Sequence, residues 1–247
     1  MRPPSRLRRR DNEQFEFRNA WFFAAKKENY LTFCTKSFAK PRVRIIVGRP
    51  TKQTDKKENM KKVIAAINMT LDGFCDHTSG VPDEEVHQHY ADLLRSADTV
   101  LYGRITYQLM EFWRTVLENP TGDKAMDDFA VAIDNTPKIV FSHTLKNVEW
   151  ESAKLANRDI EEEVLELKQQ SGKDILVGSR SLIIQLMKLN LIDEYQFCIH
   201  PVIAGTGLAL FENIKDRTVL KLIKTKTFSG GAATLYYEPT NEKTTNR

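Results

Sequence analysis

Thr99-Val100-Leu101-Tyr102-Gly103-Arg104-Ile105-Thr106-Tyr107 holds the grammar of the whole fold in nine residues. Residues 99–102 are an apolar run without strict polar alternation, as in a strand buried on both faces. Gly103 breaks that run, and Ile105, Leu109, Phe112 and Trp113 then fall on one helical stripe. The same order recurs on either side. Residues 63–67 (Val-Ile-Ala-Ala-Ile) read as a first buried strand. Pro82-Asp83-Glu84-Glu85 then opens a helix, with acids in the turn whose backbone N–H groups lack partners, and Val86, Tyr90, Leu93 and Leu94 keep its period. Residues 138–141 after Pro137 make a third strand. Ile160, Val164 and Leu167 mark a helix with Asn157 as N-cap and Gly172 beyond its end. Residues 175–177 are a fourth strand, from which Gly178-Ser179 leads into a helix carrying Leu182, Ile183, Leu186 and Met187. Then the pattern changes. Tyr195, Phe197 and Ile199 alternate, as do parts of 219–228, and residues 235–237 close the domain with no helical pattern between them, which predicts antiparallel strands. The expected architecture is α/β: a doubly wound, mainly parallel sheet with antiparallel C-terminal strands, spanning residues 60–240 and followed by a polar tail at 241–247.

The chain of 247 residues is 41% apolar and 9% aromatic, enough for a substantial core and against wholesale disorder. No stretch approaches 18 uninterrupted apolar residues, which argues against a membrane-spanning helix. Three cysteines, Cys34, Cys75 and Cys198, without any C-x-x-C pair fit neither a disulfide scaffold nor a Cys-rich zinc site; no metal is expected, and a reducing, cytoplasmic location is. The net charge of +4 hides two unlike parts: residues 1–59 hold 16 Lys/Arg against 6 Asp/Glu, while the remainder is net acidic. That basic N-terminal extension has four readings. A nucleic-acid arm lacks any binding module to go with it. An organelle transit peptide is rarely so acidic as Glu13, Glu16 and Glu28 make it, and a secretory signal would need an apolar core that is absent. The fourth reading, a disordered segment or a mis-called start, is favoured because Met60-Lys61-Lys62 leads at once into the first strand.

Open α/β sheets bind ligands beyond the carboxyl ends of their strands, where helix N-termini attract phosphate. Three strand ends here have suitable chemistry. At Gly103-Arg104-Ile105-Thr106, glycine permits close backbone approach, Thr106 offers a hydroxyl and Arg104 a planar charged fork. Val177-Gly178-Ser179-Arg180-Ser181 repeats the theme, and Ser142-His143-Thr144 follows the third strand. Each is also compatible with an ordinary helix cap or a solvated surface charge. Two such junctions in one sheet point to a long, multiply charged ligand such as a dinucleotide, although G-x-G-x-x-G is absent.

Ala66-Ile67-Asn68-Met69-Thr70-Leu71-Asp72-Gly73-Phe74, the Gly103 turn, Val177-Gly178-Ser179, Leu191-Ile192-Asp193-Glu194 and His200-Pro201-Val202-Ile203-Ala204-Gly205-Thr206-Gly207 with Leu210-Phe211 together resemble the dihydrofolate-reductase-like superfamily. The branch they look like contains the reductase domain of bacterial riboflavin biosynthesis, and the resemblance covers residues 60–238. It implies an NADPH-dependent reductase acting on a small heterocyclic or ribosylaminopyrimidine-like substrate, of the 5-amino-6-(5-phosphoribosylamino)uracil reductase type. By similarity Gly103, Arg104 and Thr106 hold cofactor phosphates; Ser142, His143 and Thr144 lie near the adenosine 2′-phosphate; Val177, Gly178, Ser179, Arg180 and Ser181 wrap the pyrophosphate. Ala66, Leu71 and Gly73 join the cofactor site, with the 71–74 loop as a lid over the nicotinamide. Relatives often carry Arg in place of His143, and a second glycine in place of Ser179. The implied reaction is hydride transfer to a polarised C=N or C=O carbon, with a proton supplied as well. Asp72 and His87 are the catalytic candidates, with Asp83 and the rest of 84–89 nearby. Asp72 equally suits a turn before Gly73, and His87 a helix surface. His87 stands where dihydrofolate reductases place an acid that pairs with a pteridine, which disfavours dihydrofolate reductase proper as the alternative. A non-catalytic nucleotide-binding module is the other. No zinc deaminase signature accompanies the reductase motifs. The expected assembly is a homodimer, with residues 195–199 and 201–207 as a contact and a small molecule as the substrate.

Overall fold

The computed structural model describes residues 60–240 apart from 213, 215 and 216; the readings for 1–59 and 241–247 fall outside the described residues. Strand β1 (Val63–Thr70) lies between β5 (Asp174–Val177) and β6 (Glu194–His200) and runs parallel to both. On the far side of β5 come β2 (Ala97–Gly103), β3 (Lys138–Phe141) and β4 (Ala153–Leu155), again parallel. Beyond β6 the sheet closes with β8 (Ala233–Pro239) and β7 (Leu220–Thr227), each antiparallel to its neighbour, giving the order β4-β3-β2-β5-β1-β6-β8-β7. This is the mainly parallel α/β sheet with an antiparallel C-terminal edge that the sequence predicts.

Alternate residues of β1 enter opposite apolar layers, which is why the strand carries no polar alternation. Val63 and Ala65 pack with Val164 and Leu167 of α5 (Ile160–Gln169) and Leu182, Ile183 and Leu186 of α6 (Arg180–Lys188). Ile64 packs on the other face with Ala91 and Leu94 of α1 (Glu84–Arg95), Tyr107 of α2 (Arg104–Met110), Trp113 of α3 (Phe112–Glu118) and Ile133 of α4 (Lys124–Asn135). Each fully buried aliphatic side chain contributes roughly 1.5–3 kcal/mol. Three of the helices start on aspartate caps: Asp83, Asp123 and Asp159 accept from backbone N–H groups in the following turn. None of the described helices is long and apolar enough to cross a membrane.

Several elements differ from expectation. The predicted second helix breaks at Glu111 into α2 and α3. Helix α4 and the three-residue β4 lack a signal of the expected kind, α4 because alanines (Ala125, Ala130, Ala132) supply most of its buried stripe. Asp159, not Asn157, caps α5, since its carboxylate accepts from Glu162 N. Strand β6 is parallel to β1, not antiparallel, because α6 carries the chain from β5 across to β6 before that strand begins. Among the named strands of the described residues, only the β6–β8 and β8–β7 pairings are antiparallel.

Two features of this topology create a site. The chain leaves β1 through α1 on one face toward β2, and leaves β5 through α6 on the other face toward β6, so the connections diverge between neighbouring strands. That is a topological switch point. Moreover β1 and β5 share only Val63↔Ile175 to Ala65↔Val177, whereas β1 and β6 stay paired to Thr70↔His200. Among the described residues, 66–70 therefore have no strand partner on the β5 flank.

Candidate functional site

The turns after β2 and β5 stand side by side. The Gly103 N–H donates to Ser179 Oγ at 2.8 Å, and Gly103 lies opposite Phe141, which brings Ser142-His143-Thr144 to the same edge. A side chain on Gly103 would begin 3.2 Å from Ser181 Oγ, and one on Gly178 would begin 3.2 Å from the Tyr102 ring. Both positions allow backbone to approach closely only while they lack a Cβ. The surroundings sort the candidates. Arg104 and Ser181 are exposed and Thr106 half-buried, with Arg104 Nη1 resting on Gln108 Oε1 at 3.1 Å. Val177 and Ser179 point inward, the latter with its hydroxyl occupied by Gly103. Arg180 is tied elsewhere: its Nε donates to the Ala209 carbonyl at 2.5 Å and its Nη2 to Glu212 Oε2 at 3.2 Å. Ser142 Oγ accepts from Thr144 N and Leu145 N, closing its own turn and leaving His143 and Thr144 exposed.

The exit of β1 is strapped down by the chain after β6. Leu71 N donates to Val202 O at 2.8 Å, Leu210 N to Gly73 O at 2.9 Å, and Phe74 bridges to Ala209. Gly73 has φ +89°, a conformation that favours glycine. Within this strap Asp72 acts as a clamp. Its carboxylate accepts from Thr70 Oγ1 at 2.6 Å, Gly205 N at 2.7 Å and Ala204 N at 3.1 Å. Those bonds, led by the Thr70 hydroxyl and the Gly205 amide, lower its pKa to about 2. At neutral pH Asp72 is an ionised acceptor with no proton to donate. Asp76 repeats the device, accepting from Leu208 N at 2.6 Å. Ala66, buried in β1, begins the stretch of that strand unpartnered on the β5 side, so Ala66, Leu71, Asp72 and Gly73 border the switch point.

His87 sits among aromatic rings, edge-on to Trp113 at 5.9 Å and tilted to Phe129 at 6.3 Å. Desolvation there lowers its pKa, so it is neutral at pH 7. A further polar group has no counterpart in the sequence reading. Asn68 Oδ1 accepts from Tyr90 Oη at 3.0 Å and lies 3.0 Å from His200 Nε2, while His200 Nδ1 accepts from Val81 N at 3.2 Å. Ending β1 at Ile67 hid this cluster; once the strand runs to Thr70, Asn68 falls on the face under α1 and His200 pairs beside Thr70.

An open, mixed sheet whose glycine turns meet beside a switch point is the architecture in which α/β domains carry their ligand sites. The chain belongs to the RibD C-terminal domain family, whose sequence profile matches residues 61–234. It is 35% identical over 181 residues to the uncharacterized protein YyaP of Bacillus subtilis (strain 168), covering 72% of this chain and 94% of that one. The uncharacterized protein YwjB of the same organism is 29% identical over 184 residues, covering 72% and 97%. Among solved structures, a putative riboflavin biosynthesis protein from Shewanella sp. PV-4 superposes with a TM-score of 0.57 at 18% identity, over 73% of this chain and 99% of that one. A Thermotoga maritima diaminohydroxyphosphoribosylaminopyrimidine deaminase/5-amino-6-(5-phosphoribosylamino)uracil reductase gives 0.52 at 16% identity, over 73% of this chain and 57% of the two-activity protein. These likenesses establish a reductase-type, dihydrofolate-reductase-like fold.

Proposed function

We propose that this chain is an NADPH-dependent reductase that delivers a hydride to a small heterocyclic substrate of the ribosylaminopyrimidine class, the reaction type named for the Thermotoga protein. The observation that carries this reading is the buried Gly103–Ser179 hydrogen bond, which ties the two glycine turns together next to the switch point. The residues fit a dinucleotide. The exposed Arg104 and Ser181 and the half-buried Thr106 are the groups that hold its phosphates, with Gly103 and Gly178 giving backbone access; Ser142, His143 and Thr144 serve the adenosine end. Ser179 and Val177 support that surface from beneath, and Arg180 fixes the 209–212 segment. When bound, the nicotinamide supplies the hydride. The chain's own part is alignment and water exclusion: Ala66 lines the open flank of β1, and Leu71 and Gly73 form a cover that Asp72 holds in place. A homodimer is the assembly we expect. Its contact does not come from pairing of β6, both edges of which are already bonded within the sheet.

Titrating the protein into NADPH and following the cofactor's fluorescence tests the reading. Saturable binding is expected, together with NADPH oxidation when 5-amino-6-(5-phosphoribosylamino)uracil is added. Gly103→Ala should raise the dissociation constant about tenfold, a loss of about 1.4 kcal/mol, with little change in unfolding midpoint. The backbone there (φ −78°, ψ 164°) suits alanine, and the new methyl crowds only a movable serine hydroxyl. No binding of NADPH by the wild-type protein would refute the proposal.

A further inference from the structure

The Val81 amide sets the hydrogen-bonding pattern of the cluster at Asn68, which Cys198 Sγ borders 4.0 Å from His200 Nε2. Val81 N–H donates to His200 Nδ1, so that nitrogen carries a lone pair and the neutral ring bears its proton on Nε2. Nε2–H then donates to Asn68, which must present its oxygen. Tyr90 Oη donates to the same oxygen. With both lone pairs of Oδ1 engaged, the amide plane is pinned from two sides by residues of α1 and β6. His200 has no exposed surface, and burial pushes its pKa down, which keeps this arrangement neutral. The Nδ2 group is the outward half. It meets no acceptor among the described residues, Asn68 is only half-buried, and Nδ2 is not among the atoms sealed from solvent without a partner. Asn68 lies within residues 66–70, the part of β1 without a strand partner toward β5.

We infer that Asn68 is a ligand-contacting residue: its Nδ2 donates to a carbonyl oxygen of the molecule bound beside β1, and Tyr90 and His200 are positioning residues that set the direction of that donor. The inference rests on the reductase reading and deepens it by requiring an acceptor carbonyl on whatever enters this flank. Two molecules in that reading carry one, the carboxamide of the nicotinamide and the ring carbonyls of a uracil-type substrate.

Asn68→Asp is the discriminating variant, because it keeps the oxygen that Tyr90 and His200 need and replaces the outward NH2 donor with a charged oxygen that can only accept. Full-length wild-type and variant protein are titrated with NADPH, and with 5-amino-6-(5-phosphoribosylamino)uracil in the presence of NADP+. A rise of tenfold or more in one dissociation constant is expected, and the probe affected identifies which carbonyl is read. Tyr90→Phe, which loosens the amide without touching the ligand, should weaken the same probe by threefold or more and leave the other unchanged. A purely structural cluster would lower the unfolding midpoint without selecting a probe. Wild type that binds NADPH, with Asn68→Asp indistinguishable from it toward both probes, overturns the inference alone. Wild type that does not bind NADPH overturns the reductase reading and this inference with it.

Discussion

Lowering the pH from 6.5 to 4 is expected to remove about 3 kcal/mol of stability through His89 alone, at about 1.4 kcal/mol per pKa unit. His89 is buried on α1 against Tyr90, Phe228 and Tyr236, and its Nδ1 lies 3.5 Å from Lys226 Nζ. Desolvation first, then the charge of Lys226 and more weakly that of Lys224, hold its pKa down to about 4 from 6.5 against the opposing charge of Asp92. In that window the unfolded chain binds a proton that the folded chain refuses, so stability falls as pH falls and is restored above 6.5. His87 and His200 shift in the same direction, again through burial, and add to the slope. Asp72, Asp98, Asp127 and Asp128 have lowered pKa values and contribute their own loss only at more acidic pH. Against a typical total of roughly 5–15 kcal/mol the histidine term is large. Urea unfolding at pH 7, 5.5 and 4.5 reads it directly. The transition midpoint should fall steeply, and His89→Leu should flatten the dependence by about one proton. A midpoint that stays level between pH 7 and 4.5 would refute the assignment.

The histidines also show what was legible in the sequence and why. Buried parallel strands announce themselves as short continuous apolar runs, so β1, β2, β3 and β5 could be read locally, and each glycine turn could be read from the residue that follows its strand. Their meeting could be anticipated only as a shared edge; the bond from Gly103 to a serine 76 positions later is a product of β2–β5 pairing. Polar residues inside the fold carried no such signal. Asn68, Tyr90 and His200 sit on β1, α1 and β6, and it takes the seven-residue pairing of β1 with β6 and the seating of α1 over β1 to bring them together. Arg180 has partners that its position in the sequence does not announce: a guanidinium at a helix start looks ready for phosphate, and here it also bonds a carbonyl and a carboxylate from residues 209 and 212. Helix α4 escaped notice because alanine buries little area and so makes a faint stripe.

Asp72→Ala is expected to lower kcat/KM for the proposed reductase reaction by about a hundredfold, the scale of loss that follows displacement of a positioning group by about an ångström. The mechanism is release of the strap. Removing the carboxylate leaves Thr70 Oγ1, Ala204 N and Gly205 N without the acceptor that joins the β1 exit to the chain after β6. Leu71 and Gly73 then lose the neighbour that fixes them, although Leu71 N–Val202 O and Leu210 N–Gly73 O remain. Asp72→Asn should fall nearly as far, since an amide can accept through one oxygen but turns its NH2 toward a second N–H donor. A proton-donating Asp72 would behave differently. Its substitution would reduce kcat while the loop stayed intact, and the wild-type rate would decline as the carboxyl ionised; a group held at about pH 2 is already ionised throughout the neutral range. Hydrogen exchange separates the two roles without requiring turnover. In the clamp role the Ala204 and Gly205 amides lose protection in Asp72→Ala, while amides in the middle of β1 and β6 keep theirs. Retained protection at Gly205, or a kcat/KM within threefold of wild type, would show that the strap is held by its backbone bonds alone.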